Sequence, residues 1–575
     1  MSVKDAVKLL VSHPVSSLLR IEQKLRNIRI QGWARRVETR GKFLFVNISD
    51  GCSLKTVQAV IQRDICPKLP VGSAVDIVGD WVKSHGKKQN MELFATNCEI
   101  FSELPTEKSS ADVTRRNYHL RMKSVPFMCL IRLRSRLDYL SRSFFQNESF
   151  IHVDAPLLTH NDCEGGGEVF TVQANKQNYF GDQTVYLTVS SQLYLEAFAS
   201  SVPKVYTIAP ALRADHSQTR QHLAEFRMLE AEYAFADDLH QLCDLVERYI
   251  NYVVDGMLNI AMEEINSVME IFCDESAREK SLLWINGPRK PFPRIYYDEA
   301  ISILQNKGEL TSDNRFSKEN ELSLVQHFGG PLFILRYPHA QKPFYMKRSG
   351  NYAECFDLLA PFVGELAGGS LRESNPEELR RRGCDQSLDW YLEIRGHGHP
   401  PSAGFGIGLE RLMQALFGIL NIKDTVAFPR WYVLMDILFD EGGGVVTESA
   451  IYAALCKQIE LLFGDYGMAA AKLSLTVKVF DIGTATTIVR ISKEFAQRLL
   501  SAIPFVCSIN DKPAVLQVLF VGSSIRSCQR ALLRINRKHL YSNYVAAKTD
   551  GEKKDILEAI RSVTGNVKFE NTLIG

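Results

Sequence analysis

The 575-residue sequence predicts a multidomain α/β protein made of three unlike parts. Three observations point there. Residues 28–105 hold five short alternating strands separated by Gly-, Asp- and Lys-rich turns. From about residue 121 to 430, long apolar-periodic helices mix with strand-like runs. After the successive glycines Gly442, Gly443 and Gly444, a further mixed stretch runs to residue 575. A chain this long exceeds what one hydrophobic core supports. The expected division is an extension over 1–27, a barrel over 28–105, a linker over 106–120, a central domain over 121–430 and a small α/β sandwich over 431–575.

The composition is ordinary for a globular protein, with 45% apolar and 23% charged residues. Net charge is +2, so any nucleic-acid site must be a local patch rather than a global field. The 12 cysteines are scattered and none forms a CxxC pair, which speaks against a zinc site and for a reducing compartment. No apolar run reaches membrane-spanning length. The first 20 residues set Lys4, Lys8 and Arg20 against Asp5 and hold four serines, a pattern shared by organellar transit segments and ordinary first helices.

Each element follows from its local pattern. The barrel strands are IRIQGWARRV, KFLFVNISDG, LKTVQAVIQ, SAVDIVGDWVKS and MELFATNCEIF, enough for a small barrel of the OB type. Thr106 to Asn117 is polar and suits a linker. A helix over Leu130–Gln146 precedes a strand ending at Pro156. A second helical stretch covers Leu239 to Glu270, and Glu275 to Asn320 has the look of an insertion.

The most informative segment is LRADHSQTRQHLAEFRMLEAEY, Leu212 to Tyr233. As a strand–loop–strand hairpin it would gather its functional groups over one pocket. Arg213 can fork two hydrogen bonds onto a phosphate. Phe226 offers a flat face for a base, and the carboxylates can hold an amine or a magnesium ion. A solvated amphipathic hairpin is the plain alternative. The second segment is Gly404-Phe-Gly406-Ile-Gly408-Leu-Glu410-Arg411. Its glycines let backbone approach a ligand closely. Arg411 falls in the first turn of a helix, where an arginine suits a phosphate. No GxxxxGK[ST] loop occurs.

Three elements, the unit ending at Pro156, the Arg213–Glu232 segment and Gly404–Leu412, stand in the order of the three motifs of class II aminoacyl-tRNA synthetases, which the chain resembles over about residues 28–430. No HIGH or KMSKS signature of the other synthetase class is present. With an OB barrel in front, the resemblance is to the subgroup for asparagine, aspartate and lysine. It implies an antiparallel-sheet catalytic domain with helices. Aspartate enzymes carry a lysine in a QLYK-type stretch. This chain has Gln192-Leu193-Tyr194-Leu195-Glu196, and Leu195 is uncharged, as a neutral amide substrate requires. CEGGGEVF (Cys163–Phe170), HLAEF (His222–Phe226), Val363-Gly364-Glu365 and KPFYM (Lys342–Met346) also resemble asparaginyl enzymes. An aspartate-specific or relaxed synthetase is the alternative.

The resemblance implies roles. Glu164 and Gln192 hold the α-amino group of L-asparagine, Arg372 contacts the amino acid, and Glu225 or Glu230 accepts the amide NH₂. ATP is met by Arg213, Asp215, His222, Phe226 and Arg411, and Asp357 and Glu365 face magnesium-bound phosphates. In the barrel, Phe45 stacks an anticodon base of tRNA(Asn), Gln58 reads an edge, and Arg35, with Lys42, meets phosphates. Phe45 as plain core is equally consistent with the strand. A homodimer through the Pro156 region and a mitochondrial location are family expectations, with the cytoplasm as the alternative. Asp215, Gln221 and Ser402 depart from the family pattern.

The synthetase pattern ends at Asp424–Arg430, and 145 residues follow. Within them Arg526, Arg530, Arg534, Arg537 and Lys538 lie in an acid-free run, the arginines at spacings that share one helix face. They suit an RNA backbone, with a solvated face as the plain alternative. The tail resembles a small protein subunit of ribonuclease P and RNase MRP, a nuclear type that supports a catalytic RNA. The resemblance implies RNase P/MRP RNA and its protein subunits as partners. The two resemblances abut near Arg430, so two separate polypeptides are an alternative to one fused chain.

Overall fold

The computed structural model describes residues 12–86, 89–102, 121–160, 169–172, 179–181, 184–214, 222–309, 315–384, 388–427, 431–439, 446–472, 475–481, 485–491, 493–510, 512–522, 528 and 532. The chain divides into two units, 1–144 with 248–289 and 145–247 with 290–575.

In the first unit, β1 (Leu25–Arg40), β2 (Phe43–Ser49), β3 (Val57–Gln62), β4 (Ala74–Lys83) and β5 (Met91–Ser102) close into a barrel in the order β1-β2-β3-β5-β4. Strand alternation fills it. Leu44, Val46 and Ile48 are buried, while Phe43, Phe45 and Asn47 turn outward between them. An ion pair of 2.6 Å between Arg29 and Asp76 ties β1 to β4. The linker expected over 106–117 lies outside the described residues.

Most of two long helices lies in this unit, with the helix Glu275–Asn286. Val125–Asn147 and Leu239–Phe272 extend the helices expected at Leu130–Gln146 and Leu239–Glu270. Their approach is close: a Cβ on Gly256 would stand 2.6 Å from Leu140 Cδ2. Ser141 Oγ and Tyr249 OH share a buried 2.8 Å hydrogen bond. The longer helix bends at Ala261, whose φ of −134° leaves the helical region.

The second unit is organised by an eight-stranded sheet. Its strands are β6 (Ile151–His152), β10 (Lys204–Leu212), β11 (Glu225–Ala234), β12 (Arg294–Tyr296), β13 (Leu332–Leu335), β16 (Cys355–Ala360), β17 (Gly364–Leu371) and β18 (Ser402–Gly408). The order is β12-β13-β16-β17-β18-β11-β10-β6, antiparallel from β13 to β10 and parallel at both edges. Two small sheets flank it: β7 (Leu158–Thr159), β8 (Phe170–Val172) and β9 (Val185–Leu187) form one, β14 (Arg348–Ser349) and β15 (Tyr352–Ala353) the other.

The sequence suggests an insertion over Glu275–Asn320, and the structure corrects this. Arg294–Tyr296 is the edge strand β12, and Tyr297, Ala300 and Leu304 are buried in the same core as Leu332 and Leu359. A strand of three residues is too short to show a period.

The C-terminal part of this unit is a five-stranded antiparallel sheet, order β20-β21-β19-β23-β22. Its strands are β19 (Trp431–Phe439), β20 (Thr476–Asp481), β21 (Thr486–Ile491), β22 (Ser508–Ile509) and β23 (Lys512–Gly522). The helices Glu448–Lys472 and Lys493–Ala502 accompany it, giving the expected α/β tail. Every residue of β21 is buried. Val489 and Ile491 face one core and Ile488 faces a second with Cys528. The Arg490 guanidinium lies 5.8 Å from the Phe170 ring, so the tail meets the small β7-β9-β8 sheet. Arg526, Arg530, Arg534, Arg537 and Lys538 lie outside the described residues.

Candidate active site

The antiparallel hairpin of β10 and β11 pairs Leu212 with Glu225 and Val205 with Glu232. A period of two then sorts its side chains. Phe226, Met228, Glu230 and Glu232 face a cavity of about 420 Å³, a volume suited to a small-molecule ligand. Glu225 falls on the opposite face and is exposed. Of the two carboxylates offered for the substrate amide, the structure therefore brings Glu230 to the cavity and not Glu225.

Glycine makes the cavity floor. On β18, Gly408, Gly406 and Gly404 stand opposite Met228, Glu230 and Glu232. A Cβ on Gly404 would overlap the Glu232 carboxylate and the Arg372 guanidinium. On β17, Gly368 and Ser370 continue the row opposite Gly406 and Gly404.

One end of the cavity is a buried ionic network. Arg372 Nε and Nη2 each donate to a different Glu232 oxygen at 2.8 Å, and Nη1 donates to Ser370 Oγ at 2.7 Å. Arg395 and Tyr391 OH both donate to Glu196 Oε2, and Gln192 Nε2 donates to Glu196 Oε1 at 3.0 Å. Burial pushes the Glu232 carboxyl up to about 7 against the pull of Arg372, and the bidentate bond keeps it paired. Burial would also raise Glu196, but Arg395 and Arg372 hold it below the ordinary carboxylate range. Glu230 is buried, accepts from Ser190 Oγ and from Ser191 N at 2.9 Å, and is raised by burial. Leu195 lines this end and is fully buried.

The other end is cationic and open. Arg213 sits 5.6 Å from the Phe226 ring, and His222 also lines the wall. Arg411, in the first turn of the helix Leu409–Phe417, donates to Glu365 O at 2.9 Å. Lys342 Nζ bonds both Asp357 oxygens at 2.8 and 2.7 Å. Burial raises the Asp357 carboxyl, partly opposed by Lys342. Asp357 and Glu365 converge: a Cβ on Gly368 would lie 3.6 Å from one and 3.5 Å from the other. These two carboxylates are hard oxygen donors of the kind a divalent cation takes, with Asp357 also engaged by Lys342. Glu164 and Asp215 lie outside the described residues, as does Gln221.

Sequence reasoning missed part of this constellation. Glu196, Tyr391 and Arg395 had no role assigned, yet they complete the network. The signal for Arg395 was faint, a basic residue in the helical stretch Asp389–Gly396, almost 200 residues from its partner. His399 Nε2 reaches the hydroxyl of Ser402 at 3.1 Å.

In the barrel, Phe45 faces outward, half-buried, with Arg40 at 5.6 Å from its ring. This places it outside the core. Gln58 shares that face and donates to Glu92 at 3.2 Å. Arg35 is half-buried and donates to Lys123 O at 3.2 Å and to Met128 Sδ at 3.1 Å. A phosphate contact by Arg35 would require those bonds to break, whereas Lys42 is exposed.

Comparison with known proteins agrees with this geometry. A family model described as OB-fold nucleic acid binding domain matches residues 28–101, and one described as the Rpp14/Pop5 family matches 431–533. Asparaginyl-tRNA synthetase of Mus musculus is 35% identical over 434 residues, covering 70% of this chain and 90% of the relative. A Dictyostelium discoideum protein named "Probable asparagine--tRNA ligase, mitochondrial" is 34% identical over 433 residues, covering 70% and 93%. The crystal structure of asparaginyl-tRNA synthetase from Pyrococcus horikoshii complexed with asparaginyl-adenylate superposes with a TM-score of 0.63 at 29% identity, over 71% of this chain and 94% of that one. A model for class II tRNA synthetases of the D, K and N type matches residues 110–432, more than half of the chain, and the chain belongs to that family.

Proposed function

We propose that this chain is an asparagine–tRNA ligase. It activates L-asparagine with ATP to asparaginyl-AMP and transfers the acyl group to tRNA(Asn). One observation carries the choice of amino acid. The arginine at the substrate end, Arg372, is already neutralised by Glu232, and the neighbouring Leu195 brings no charge. A second carboxylate there would meet no uncompensated cation and would stand beside Glu232 and Glu230. A neutral amide matches that balance. The relatives named as asparagine enzymes support the same reading.

The reaction is one of positioning and charge. The asparagine carboxylate attacks the α-phosphorus in line, the bond to the β-phosphate oxygen breaks, and pyrophosphate leaves. Arg213 would hold the α-phosphate. Phe226 and Arg411 would sandwich adenine, with Arg411 also reaching the γ-phosphate, and His222 and Asp215 would lie along the ATP. Glu164 and Gln192 would hold the substrate ammonium, Arg372 would contact the amino acid, and Glu230 would accept its amide NH₂. Asp357 and Glu365 would hold a magnesium ion, which offsets phosphate charge when bound. The terminal ribose hydroxyl of the tRNA then takes the acyl group.

Phe45 and Gln58 would meet the anticodon, and the tail's arginines would meet an RNA backbone, RNase P/MRP RNA included. A homodimer and a mitochondrial location complete the proposal. The mitochondrial relative supports the location. No helix among the described residues is long and apolar enough to cross a membrane. Pyrophosphate exchange with purified protein tests the central reading. Exchange faster with asparagine than with aspartate is expected, and the reverse order overturns it. A native polypeptide near 65 kDa supports one fused chain, and two smaller species contradict it.

A further inference from the structure

The hairpin between β16 and β17 carries Glu365 toward the cavity, and it is not a regular turn. Phe362 and Gly364 both have φ of +68°, the left-handed region. Such a turn needs support from outside, and charged side chains supply it. Glu321 accepts a hydrogen bond from Glu365 N at 3.0 Å. Lys318 donates from Nζ to Val363 O at 3.0 Å. Arg411 reaches the same turn from the other side through Glu365 O at 2.9 Å. A Cβ on Gly364 would overlap the Glu321 carboxylate, so glycine here serves both the φ angle and the clamp.

Lys318 and Glu321 lie three residues apart in the helix Lys318–Phe328 and share a face. Their position is fixed by a capping box: Ser317 Oγ accepts from Asn320 N at 3.2 Å, and Asn320 Oδ1 accepts from Ser317 N at 2.8 Å. Asn320 Nδ2 also donates to Glu309 O at 2.8 Å. The first turn of this helix is therefore a rigid mount. Neither Lys318 nor Glu321 lines the cavity itself.

Burial, with repulsion from Glu365, pushes the Glu321 carboxyl up to about 7. What it supplies to the turn is therefore an acceptor for the Glu365 N–H rather than a standing charge, and Lys318 supplies a donor to the neighbouring carbonyl. We infer that Glu321 and Lys318 are positioning residues for the magnesium–nucleotide end of the cavity, fixing the Val363–Glu365 backbone so that Glu365 meets the ion. This rests on the reading of the cavity as an ATP site.

The test uses the full chain and its Glu321→Ala, Glu321→Gln and Lys318→Met variants. Two readouts are taken across a magnesium titration: thermal stabilisation by ATP, which needs no amino acid, and asparagine-dependent pyrophosphate exchange. A lost hydrogen bond predicts about a tenfold rise in half-saturating magnesium and in KM for ATP with Glu321→Ala, with KM for asparagine within about twofold. Glu321→Gln keeps an acceptor and is expected to return both within about threefold of wild type. Glu321→Ala with wild-type magnesium and ATP dependence overturns the inference, and so does an equal rise in KM for asparagine. If Glu321→Ala does not fold, Lys318→Met decides on the same readouts, and unchanged magnesium dependence overturns the inference. Wild-type protein that binds ATP but shows no exchange with asparagine would instead sink the amino-acid assignment and leave this one standing.

Discussion

Arg372 and Glu232 form a bidentate pair with both bonds at 2.8 Å, and a strand of glycine passes directly beneath them. They lie 140 residues apart in sequence, on or beside strands separated only by β18. Both are almost wholly removed from solvent. A pair buried in this way is a poor stabiliser in net terms, because desolvation offsets most of its attraction. Its value is that a fixed, neutralised arginine can present directed donors without attracting a second anion.

Replacing Glu232 with Gln should expose this balance. The guanidinium would be left buried with only Glu196, which it would share with Arg395, at about 3–5 kcal/mol in stability. Surviving protein should lose discrimination against aspartate, because the cation would then be available to a carboxylate. Thermal melting and the ratio of kcat/KM for the two amino acids give the answer. An unchanged ratio would contradict the role assigned to the pair.

Leu195→Lys places a cation where the chain keeps an aliphatic group. Burial of the ammonium without a fixed partner should cost several kcal/mol in the free protein. Asparagine-dependent exchange should fall by about two orders of magnitude, and the aspartate-to-asparagine ratio should rise. Exchange assays with both amino acids read this directly, and an unmoved ratio would show that Leu195 does not set specificity.

Gly404→Ala is a test of space alone. The added methyl would overlap Glu232 and Arg372, an overpacking strain of about 1–3 kcal/mol. The expected result is folded protein with a modestly lower Tm and a loss of exchange out of proportion to it. Circular dichroism with exchange kinetics separates the two. Near-normal activity would mean that the pair can move without consequence.

His399 predicts an acid limb in stability. Burial, with Arg395 adding repulsion, lowers it to about 4 from an ordinary 6.5, while Glu196 opposes this. The folded imidazole therefore stays neutral between those values while the unfolded one gains a proton. Protons bind more to the unfolded chain in that window, so stability falls as pH falls from about 6.5 toward 4. Urea midpoints of wild type and His399→Asn, measured from pH 7 to 4.5, should show a shallower decline in the variant. Parallel curves would contradict the assignment.

Much of the architecture was legible because periodicity survives in long elements. The five barrel strands and the two long helices announce themselves by period two and period 3.6. The hairpin carrying Arg213, Phe226 and Glu230 was legible for the same reason. The choice between Glu225 and Glu230 needed the register, since adjacent strand positions point opposite ways. The Lys342–Asp357 and Glu196–Arg395 pairs were hidden because pairing from a loop to a strand or between helices leaves no spacing rule in one sequence. For a related reason the sequence does not show that Arg35 Nη1 and Nη2 bond Lys123 O and Met128 Sδ.

The row of Gly404, Gly406 and Gly408 opposite Glu232, Glu230 and Met228 has a consequence for how this protein can change over time. Substitution alters one contact, but the loss or gain of a single residue within Glu225–Ala234 or Ser402–Gly408 would turn every later side chain of that strand to the other face. Acids would leave the hollow and hydrophobic residues would enter it. In these two strands chain length is under tighter constraint than residue identity, and surviving insertions are expected only in pairs or in the connecting loops.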